Sequence, residues 1–563
     1  MEISVEKKKK LYDGTNSEES DRISDLPDSI KLHILSFVKT REAVRTCILS
    51  SSWRALSESL PSLALDKYCF YSSAMNERLP DCDEKDGASK AKREKILRVR
   101  RSFYAFLDRA LGPQMDLDKL ELYFQGYDLD LKSRLDGWLS GAVRRRVKEL
   151  RLEFGGSSRD PTYSFPKSVF LPKGIKRLRL VNCGLSSSCL VDGQLPCLQE
   201  ICLEDVNADN VFLANLLASC PNLEKFSLKS CSGLTRLEIY CLSNLKTLVF
   251  EHLGKEMKVI TIEAPNLSEF YFTSDGSIES KLNIGACKKL ELLELYGCQL
   301  DDHDLADILN NHPMLRSLSL DKCHNLYHTV VSSQSLVHFV CKRCKALTKV
   351  RMDTPNLEFI SHDSIDPITF VCKGPTLKLK DAYIDLIHGN RGEEWFNGLL
   401  KFLAKLRWTE TLSLCVNSEK DVIIPEMLRM KRRPPLYSVK HLKIELYVSR
   451  MNNSFELIRS LLWLAPCPET ISICIYGSLA LNKKLTFTYE KPLRGKKRCG
   501  CWKSLPINCW KHSLVKVCIQ NRRGHEDDDT QLLDFFRKER NDMKIEFTEY
   551  RTYVSEWDPD FYF

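Results

Sequence analysis

The chain has 563 residues, 84 lysines and arginines against 75 aspartates and glutamates, and a net charge of +9. It is too long for one ordinary core, because single cores stop growing at about 250–300 residues, so it is either several domains or a solenoid whose repeats touch only their neighbours. At 43% hydrophobic and 28% charged the composition is that of a folded soluble protein. The charge is mild for this length and does not point to nucleic acid. No apolar run reaches the roughly 18 residues of a membrane span. The lysine-rich start, Met1 to Lys10, has no apolar stretch of the kind that directs secretion. The 23 cysteines are scattered and many lie in apolar runs. Without a secretory signal they read as free thiols, acting as small buried apolar groups.

Residues 1–20 are charged and polar and are expected to form a disordered tail. Residues 21–65 carry three helical patterns. Ile30, Ile34, Leu35 and Val38 recur at helical spacing, with Pro27 suited to the first turn. Ala43, Val44, Cys47 and Ile48 form a second stripe, with Thr40 as its expected N-cap. A third helix is expected from about Ser52 to Leu60, capped by the preceding serines and stopped by Pro61. Three short helices bury little surface, so the unit is expected to lean on a partner or a neighbouring domain. A polar linker over residues 72–92 leads into an amphipathic helix expected from about Lys90 to Leu111, whose Ile96, Leu97, Phe103, Phe106, Leu107 and Leu111 fall largely on one side.

One pattern then recurs, apolar-x-x-apolar-x-apolar. It stands at Leu117/Leu120/Leu122, Val147/Leu150/Leu152, Ile175/Leu178/Leu180, Leu198/Ile201/Leu203, Leu223/Phe226/Leu228, Leu267/Phe270/Phe272, Leu290/Leu293/Leu295 and Leu315/Leu318/Leu320. The spacings are 30, 28, 23, 25, 44, 23 and 25, and Leu245/Leu248/Phe250 divides the 44. That is the leucine-rich-repeat period. Cys183, Cys231, Cys298 and Cys323 each stand eight residues after a repeat start, where such repeats take Asn or Cys as the chain leaves the strand. Each short strand is expected to send alternate residues into a core and onto a concave sheet. Asp209–Ala218 and Asp302–Asn310 read as return helices. Where the motif comes at half period, with starts at 223, 234 and 245 and at 336, 347 and 357, return strands are expected instead. Beyond about residue 365 the repeats loosen. Leu412/Leu414, Val439/Leu442/Ile444 and Ile471/Ile473 still read as strands, and helices are expected at Glu394–Leu406 and Ser454–Leu464. The C-terminal region reads as strand (Leu514, Val517, Ile519), helix (Thr530–Arg540) and strand (Met543–Phe547), a closing cap.

Residues 21–66 resemble the F-box of the large plant F-box/leucine-rich-repeat group. The resemblance rests on Asp21-Arg22-Ile23-Ser24, Leu26-Pro27, Ile34-Leu35-Ser36-Phe37, Ala43-Val44, Leu49-Ser50 and Trp53-Arg54. Trp138-Leu139, Ala142-Val143, Val147 and Glu149-Leu150 resemble that group's first repeat, and residues 498–547 resemble its FBD tail. The resemblance implies a fold of mixed α and β: a three-helix F-box (21–66), a linker and coupling helix (67–111), a long irregular repeat solenoid with its strands on the concave face (112–497), and an FBD-like cap (498–563). It also implies a receptor subunit of an SKP–cullin–F-box ubiquitin ligase. Leu26, Pro27, Ile30, Ile34, Leu35, Val38, Val44, Leu49 and Trp53 would face or support the SKP-type adaptor, which docks on cullin, and the solenoid would hold an unknown target protein. Two positions depart from the group: Ser51-Ser52 replace a Lys-Arg pair, and Ser57 replaces a second tryptophan. Both changes would weaken adaptor binding, one by lost charge and one by a lost apolar anchor.

No phosphate-cradling glycine loop, nucleophile elbow or HExxH motif occurs, so no catalysis and no cofactor are expected of the chain. Cys341-x-x-Cys344 has metal-ligand spacing but no matching second pair. Cys499, Cys501, Cys509 and His512 put four candidate ligands within 14 residues, a number that would suit zinc. Their spacing is not that of a standard finger, and packed thiols are the plainer reading. Basic clusters at Lys7–Lys10, Arg144–Arg146, Lys431–Arg433 and Lys496–Arg498 read as solvated surface; Lys7–Lys10 and Arg429–Pro435 also suit nuclear import, so nucleus and cytoplasm are the expected compartments. Three other functions stay open on sequence alone: a repeat scaffold with no ubiquitin role, a small-molecule receptor acting through the solenoid, and a zinc-dependent nucleic-acid binder.

Overall fold

The computed structural model describes residues 23–38, 40–65, 116–125, 129–155, 163–164, 173–185, 194–240, 242–253, 256–274, 281–364, 369–372, 379–386, 392–448, 454–466, 468–477, 480–489, 514–521 and 544–549, with separate positions within 90–111 and 534–537. The polar tail, residues 72–89 of the linker and the cluster Cys499, Cys501, Cys509 and His512 lie outside the described residues. The chain divides into two compact units, residues 1–183 with 191–197, and residues 184–190 with 198–563.

In the first unit, helices Asp28–Ser36, Thr40–Arg45 and Ser51–Glu58 are joined by a 3-10 turn at Thr46–Ile48. Pro27 stands at the first N-cap, and Ser50 caps the third helix by accepting from the Trp53 N–H at 3.3 Å. Thr40 does not take the N-cap expected of it. It is already helical, and its hydroxyl accepts from the Ala64 N–H at 3.0 Å, which ties the second helix to the segment after the third.

That segment is a strand, Ser62–Leu65, and it pairs in parallel with Lys119–Gln125. The next rungs are Glu149–Gly155 and Arg177–Val181, so Leu63, Leu120, Leu150 and Leu178 stand in one row. The compact three-helix unit therefore contributes the first rung of the repeat sheet. The signal was present in the sequence, because Leu60/Leu63/Leu65 has the repeat spacing, and Leu60 and Leu63 are 2% and 1% exposed. The described positions between 90 and 108 are helical. The Asp108 carboxylate from this stretch accepts from Trp138 Nε1 at 2.8 Å and pairs with Arg134 at 2.9 Å, both on the helix Leu129–Arg144. Gly141 of that helix admits the Leu111 carbonyl so closely that a Cβ would lie 2.7 Å from it.

In the second unit the repeat strands run parallel and in register from Glu200–Glu204 through Lys225–Lys229, Thr247–Glu251, Glu269–Thr273, Leu292–Tyr296, Ser317–Asp321, His338–Lys342, Phe359–Ser364, Asp381–Leu386, Thr411–Val416 and His441–Tyr447 to Thr470–Gly477. Alternate residues bury against the core and face away from it. Helices cover the core at Asn210–Ala218, Asp302–Asn311, Glu393–Leu403, Glu426–Lys431 and Ser454–Leu464. Strands replace them where the half-period motif occurs: Arg236–Ile239, Val259–Ile262 and Lys281–Asn283 form one small parallel sheet, and His328–Ser332, Lys349–Asp353 and Thr369–Cys372 form another. Past Gly477 the direction reverses. Ala480–Tyr489 is antiparallel to its neighbours on both sides, and Leu514–Asn521 then pairs in parallel with Lys544–Glu549.

The cysteines follow from the turn that ends each repeat strand. Asp205, Ser230, His252, Lys322 and Arg343 have φ of 50, 50, 49, 54 and 54°, and Gly297 has φ 69°. One left-handed residue turns the chain so that the next side chain points inward. These next residues are Val206, Cys231, Leu253, Cys298, Cys323 and Cys344, all buried. The Cys231 thiol donates to the Leu203 carbonyl at 3.4 Å and the Cys323 thiol to the Leu295 carbonyl at 3.8 Å. Cysteine suits the position because it fills the core and still offers a weak donor.

Candidate adaptor-binding face

The three-helix unit has a small interior. Leu35, Ala43, Trp53 and Leu56 are 4%, 1%, 7% and 5% exposed. Trp53 Nε1 lies 3.4 Å from Ser24 Oγ, which fastens the entry segment to the third helix. Lys31 is also buried, its ammonium 3.3 Å from Asp28 one turn earlier.

Outside this interior stands an unusual number of large apolar side chains. Ile30, Ile34 and Val38 are 45%, 42% and 42% exposed and Leu49 is 65% exposed. Ile30 and Ile34 are one turn apart and project from one side of the helix, and Val38 follows two residues past its end. Ile23, Phe37 and Ile48 join them at 56%, 79% and 83%. Scattered exposed hydrophobes are ordinary, but a concentration of them on a short segment marks an interaction surface.

The nine sequence-derived residues therefore separate. Pro27, Ile30, Ile34, Val38 and Leu49 are exposed and Leu26 is half-buried, whereas Leu35 and Trp53 belong to the interior. The side chain of Val44 lies outside the described residues. Sequence reasoning missed Ile23, Phe37 and Ile48 as surface residues. Periodicity marks an apolar stripe but does not say whether it faces inward, and Phe37 and Ile48 sit where helices end and the period breaks. Of the departures, Ser51 and Ser52 are exposed, whereas Ser57 is 2% exposed and its hydroxyl donates to the Arg54 carbonyl at 2.8 Å. A tryptophan at 57 would start from a buried position.

The other candidate sites resolve differently. Cys341 and Cys344 are 1% and 8% exposed. Hydrogen bonding with Cys323 and burial push the Cys344 thiol up to about 12. Among the described residues no group of His, Cys, Asp and Glu is arranged to hold a metal ion. In the Arg429–Pro435 segment Arg429 is helical and bonded to Glu456 at 3.0 Å, and Pro434 and Pro435 are buried, which leaves Lys431, Arg432 and Arg433 exposed. Of Arg144–Arg146, Arg145 is buried at 1% exposure. No described helix is long and apolar enough to cross a membrane.

Comparison with known proteins agrees with this geometry. The F-box domain matches residues 23–65, and the domain described as "At1g61320/AtMIF1, LRR domain" matches residues 113–283 and 274–516. The chain is 31% identical over 279 residues to F-box/LRR-repeat protein At3g59200 of Arabidopsis thaliana, covering 46% of this chain and 47% of that protein. It is 26% identical over 356 residues to Putative F-box/FBD/LRR-repeat protein At5g44950 of the same plant, covering 57% and 75%. To FBD-associated F-box protein At1g66310, also from that plant, it is 28% identical over 305 residues, covering 50% and 61%. The match spans about half the length of the first of these relatives.

Proposed function

We propose, from the premise that the chain belongs to the F-box/leucine-rich-repeat family, that it is the substrate-recruiting receptor of an SKP–cullin–F-box ubiquitin ligase. One observation carries the reading: the F-box closes its own interior with Leu35, Trp53 and Leu56 and still leaves Ile30, Ile34, Phe37, Val38, Ile48 and Leu49 in water. Apolar helical anchors of this kind give most of the energy when they enter a partner's groove. Full burial of one such side chain stabilises by about 1.5–3 kcal/mol.

The chain itself does no chemistry in this account. The F-box holds the SKP-type adaptor and through it cullin, the repeat sheet holds a target protein, and ubiquitin transfer is accelerated by proximity. The compartments that suit this role are nucleus and cytoplasm, with Lys431–Arg433 as the exposed basic segment that supports nuclear entry. The buried Ser57 favours a second reading, a repeat scaffold with no ubiquitin role, because it stands where the group has an aromatic anchor.

Affinity isolation of the intact protein from cells with proteasome activity blocked separates the two. A receptor brings down adaptor, cullin and ubiquitin-modified targets, and Leu26→Ala with Pro27→Ala loses adaptor and cullin together. A complex that contains targets but no adaptor establishes the scaffold instead.

A further inference from the structure

The edge of the repeat sheet where the strands begin follows a rule of charge. Lys246, Lys380 and Lys440 each stand just before a strand and pair with a carboxylate of the preceding rung, Glu224, Glu358 and Glu410, all at 2.7 Å. Arg407 breaks the rule. It lies in the turn that leads into Thr411–Val416, and its guanidinium makes no ion pair and no hydrogen bond among the described residues; its Nε is shut off from solvent without a partner. The residue is only half-buried, so the open side of the cation is at its terminal nitrogens.

Instead of an anion, Arg407 has two rings beside it. The guanidinium carbon is 5.3 Å from the centre of the Trp408 ring and 6.0 Å from that of Tyr437, and the two rings meet edge-on, 6.3 Å apart at 74°. Tyr437 comes from the connection into His441–Tyr447, the neighbouring rung. Trp408 is 55% exposed and Tyr437 49%, and Trp408 is the only tryptophan among the exposed large apolar residues of the described chain.

Neither ring is in water because its loop is slack. Thr409 is buried and its N–H donates to the Leu406 carbonyl at 3.1 Å. Pro434, Pro435 and Leu436 are buried, and the Leu436 N–H donates to the Leu464 carbonyl at 3.1 Å. A large ring held in water on a fixed loop forgoes the gain of burial. Arginine, tryptophan and tyrosine are also the residues that carry most of the energy of protein interfaces, and here the three are in contact and already positioned, which lowers the cost of ordering them on binding.

The surrounding charge says what kind of partner fits. Residues 404–410 and 431–440, which lead into the two strands, hold six basic residues and one acidic one, Glu410, already paired with Lys440. Lys405, Lys431, Arg432 and Arg433 are exposed. Such an edge attracts an acidic partner and repels a basic one. A guanidinium bonds a carboxylate through two N–H groups while its faces stay against aromatic rings.

We infer that this edge is a docking site for an acidic segment of a partner protein. A carboxylate of the segment pairs with the terminal nitrogens of Arg407, and an apolar side chain beside it covers Trp408 and Tyr437. As a docking site it stands without the receptor reading; as the place where a ubiquitin ligase holds its target it rests on that reading.

The probes are fluorescent glycine–serine decapeptides with a central Phe-Glu-Glu or Phe-Gln-Gln, titrated onto the full-length chain at low and moderate salt. The glutamate peptide binds at least about tenfold more tightly than the glutamine peptide, the size of one charge-assisted hydrogen bond, and the preference shrinks as salt rises. Arg407→Gln abolishes it. Trp408→Ala, which alters an exposed side chain and leaves the half-buried arginine in place, weakens the glutamate peptide at least about fivefold. Lys246→Gln, at a lysine already paired on another rung, keeps the preference. Circular dichroism verifies the fold of each variant. Equal binding of the two peptides, a preference that survives Arg407→Gln, or unchanged binding by Trp408→Ala overturns the proposal. A ten-nucleotide thymidine strand that binds more tightly than the glutamate peptide and is lost with Trp408→Ala also overturns it, by assigning the edge to nucleic acid. Adaptor capture, measured on the same samples, stands apart: its loss with the acidic preference intact removes the receptor reading and leaves the docking site, and the converse leaves the receptor without this site.

Discussion

The repeat core can be tested at Phe250. This side chain is fully buried and sits edge-on between Phe226, at 6.0 Å and 81°, and Phe270, at 5.7 Å and 80°. Phe250→Ala removes a large buried ring from a site flanked by rungs on both sides, at a cost of about 3–5 kcal/mol. Its two edge-to-face contacts account for about 1–3 kcal/mol of that. In a repeat sheet each rung touches only its neighbours, so the loss stays local, and a single unfolding free energy would not describe it. Hydrogen exchange read by mass spectrometry does. A loss of about 4 kcal/mol speeds exchange about a thousandfold, and the effect falls on Lys225–Lys229, Thr247–Glu251 and Glu269–Thr273. Thr411–Val416 keeps its protection. A change below about 1 kcal/mol, or an equal change in every strand, refutes the nearest-neighbour stacking described above.

Other predictions address turns, thiols and the F-box interior. Gly233 has φ +82°, and a Cβ there would lie 2.7 Å from the Ala208 carbonyl oxygen. Gly233→Ala therefore costs about 1–2 kcal/mol in backbone conformation alone, and denaturant melting shows a loss larger than for alanine substitutions on the surface. Burial pushes the Cys220 and Cys231 thiols from 9.0 up to about 12. Their stabilisation is complete below about pH 9, where the unfolded thiol is protonated too, and is lost as pH rises toward the folded value. Melting temperature accordingly falls between about pH 9 and 12, and native alkylation at pH 8 labels Cys197 before either of them; early labelling of Cys231 contradicts its placement. Ser57→Trp overpacks the F-box by about 1–3 kcal/mol and lowers its thermal stability. A stabilised variant would show that position 57 opens outward.

Much of this fold was legible in the sequence for a physical reason. Alternation of period two is hard to produce by accident, so Leu223/Phe226/Leu228, then 234, then 245 marked a strand, a return strand and a strand, and all three exist. The helices Asp302–Asn311 and Ser454–Leu464 were legible instead from apolar residues at helical spacing. The first rung, Ser62–Leu65, escaped because it abuts a helix and a proline and was absorbed into the helical unit. Ala480–Tyr489 escaped because nothing local says that a strand runs antiparallel to its neighbours. The exposed apolar face of the F-box was half legible. An apolar stripe predicts burial but not the burying partner, so Ile34 and Trp53 looked alike although one is 42% exposed and the other 7%. The cluster of Arg407, Trp408 and Tyr437 was invisible, because Trp408 and Tyr437 are 29 residues apart in the chain and only the register of the strands that follow them brings them together.

The central claim is that the exposed apolar residues of the F-box form the adaptor interface. Isothermal titration of a purified SKP-type adaptor into the full-length chain, wild type against Ile34→Ala with Leu49→Ala, tests it most directly. Both side chains are exposed, so the fold is kept, as circular dichroism verifies. Two anchors worth about 2 kcal/mol or more each predict saturable binding by the wild type and an affinity at least several-hundredfold weaker for the double variant. No binding by the wild type, or equal affinity in both, contradicts the account.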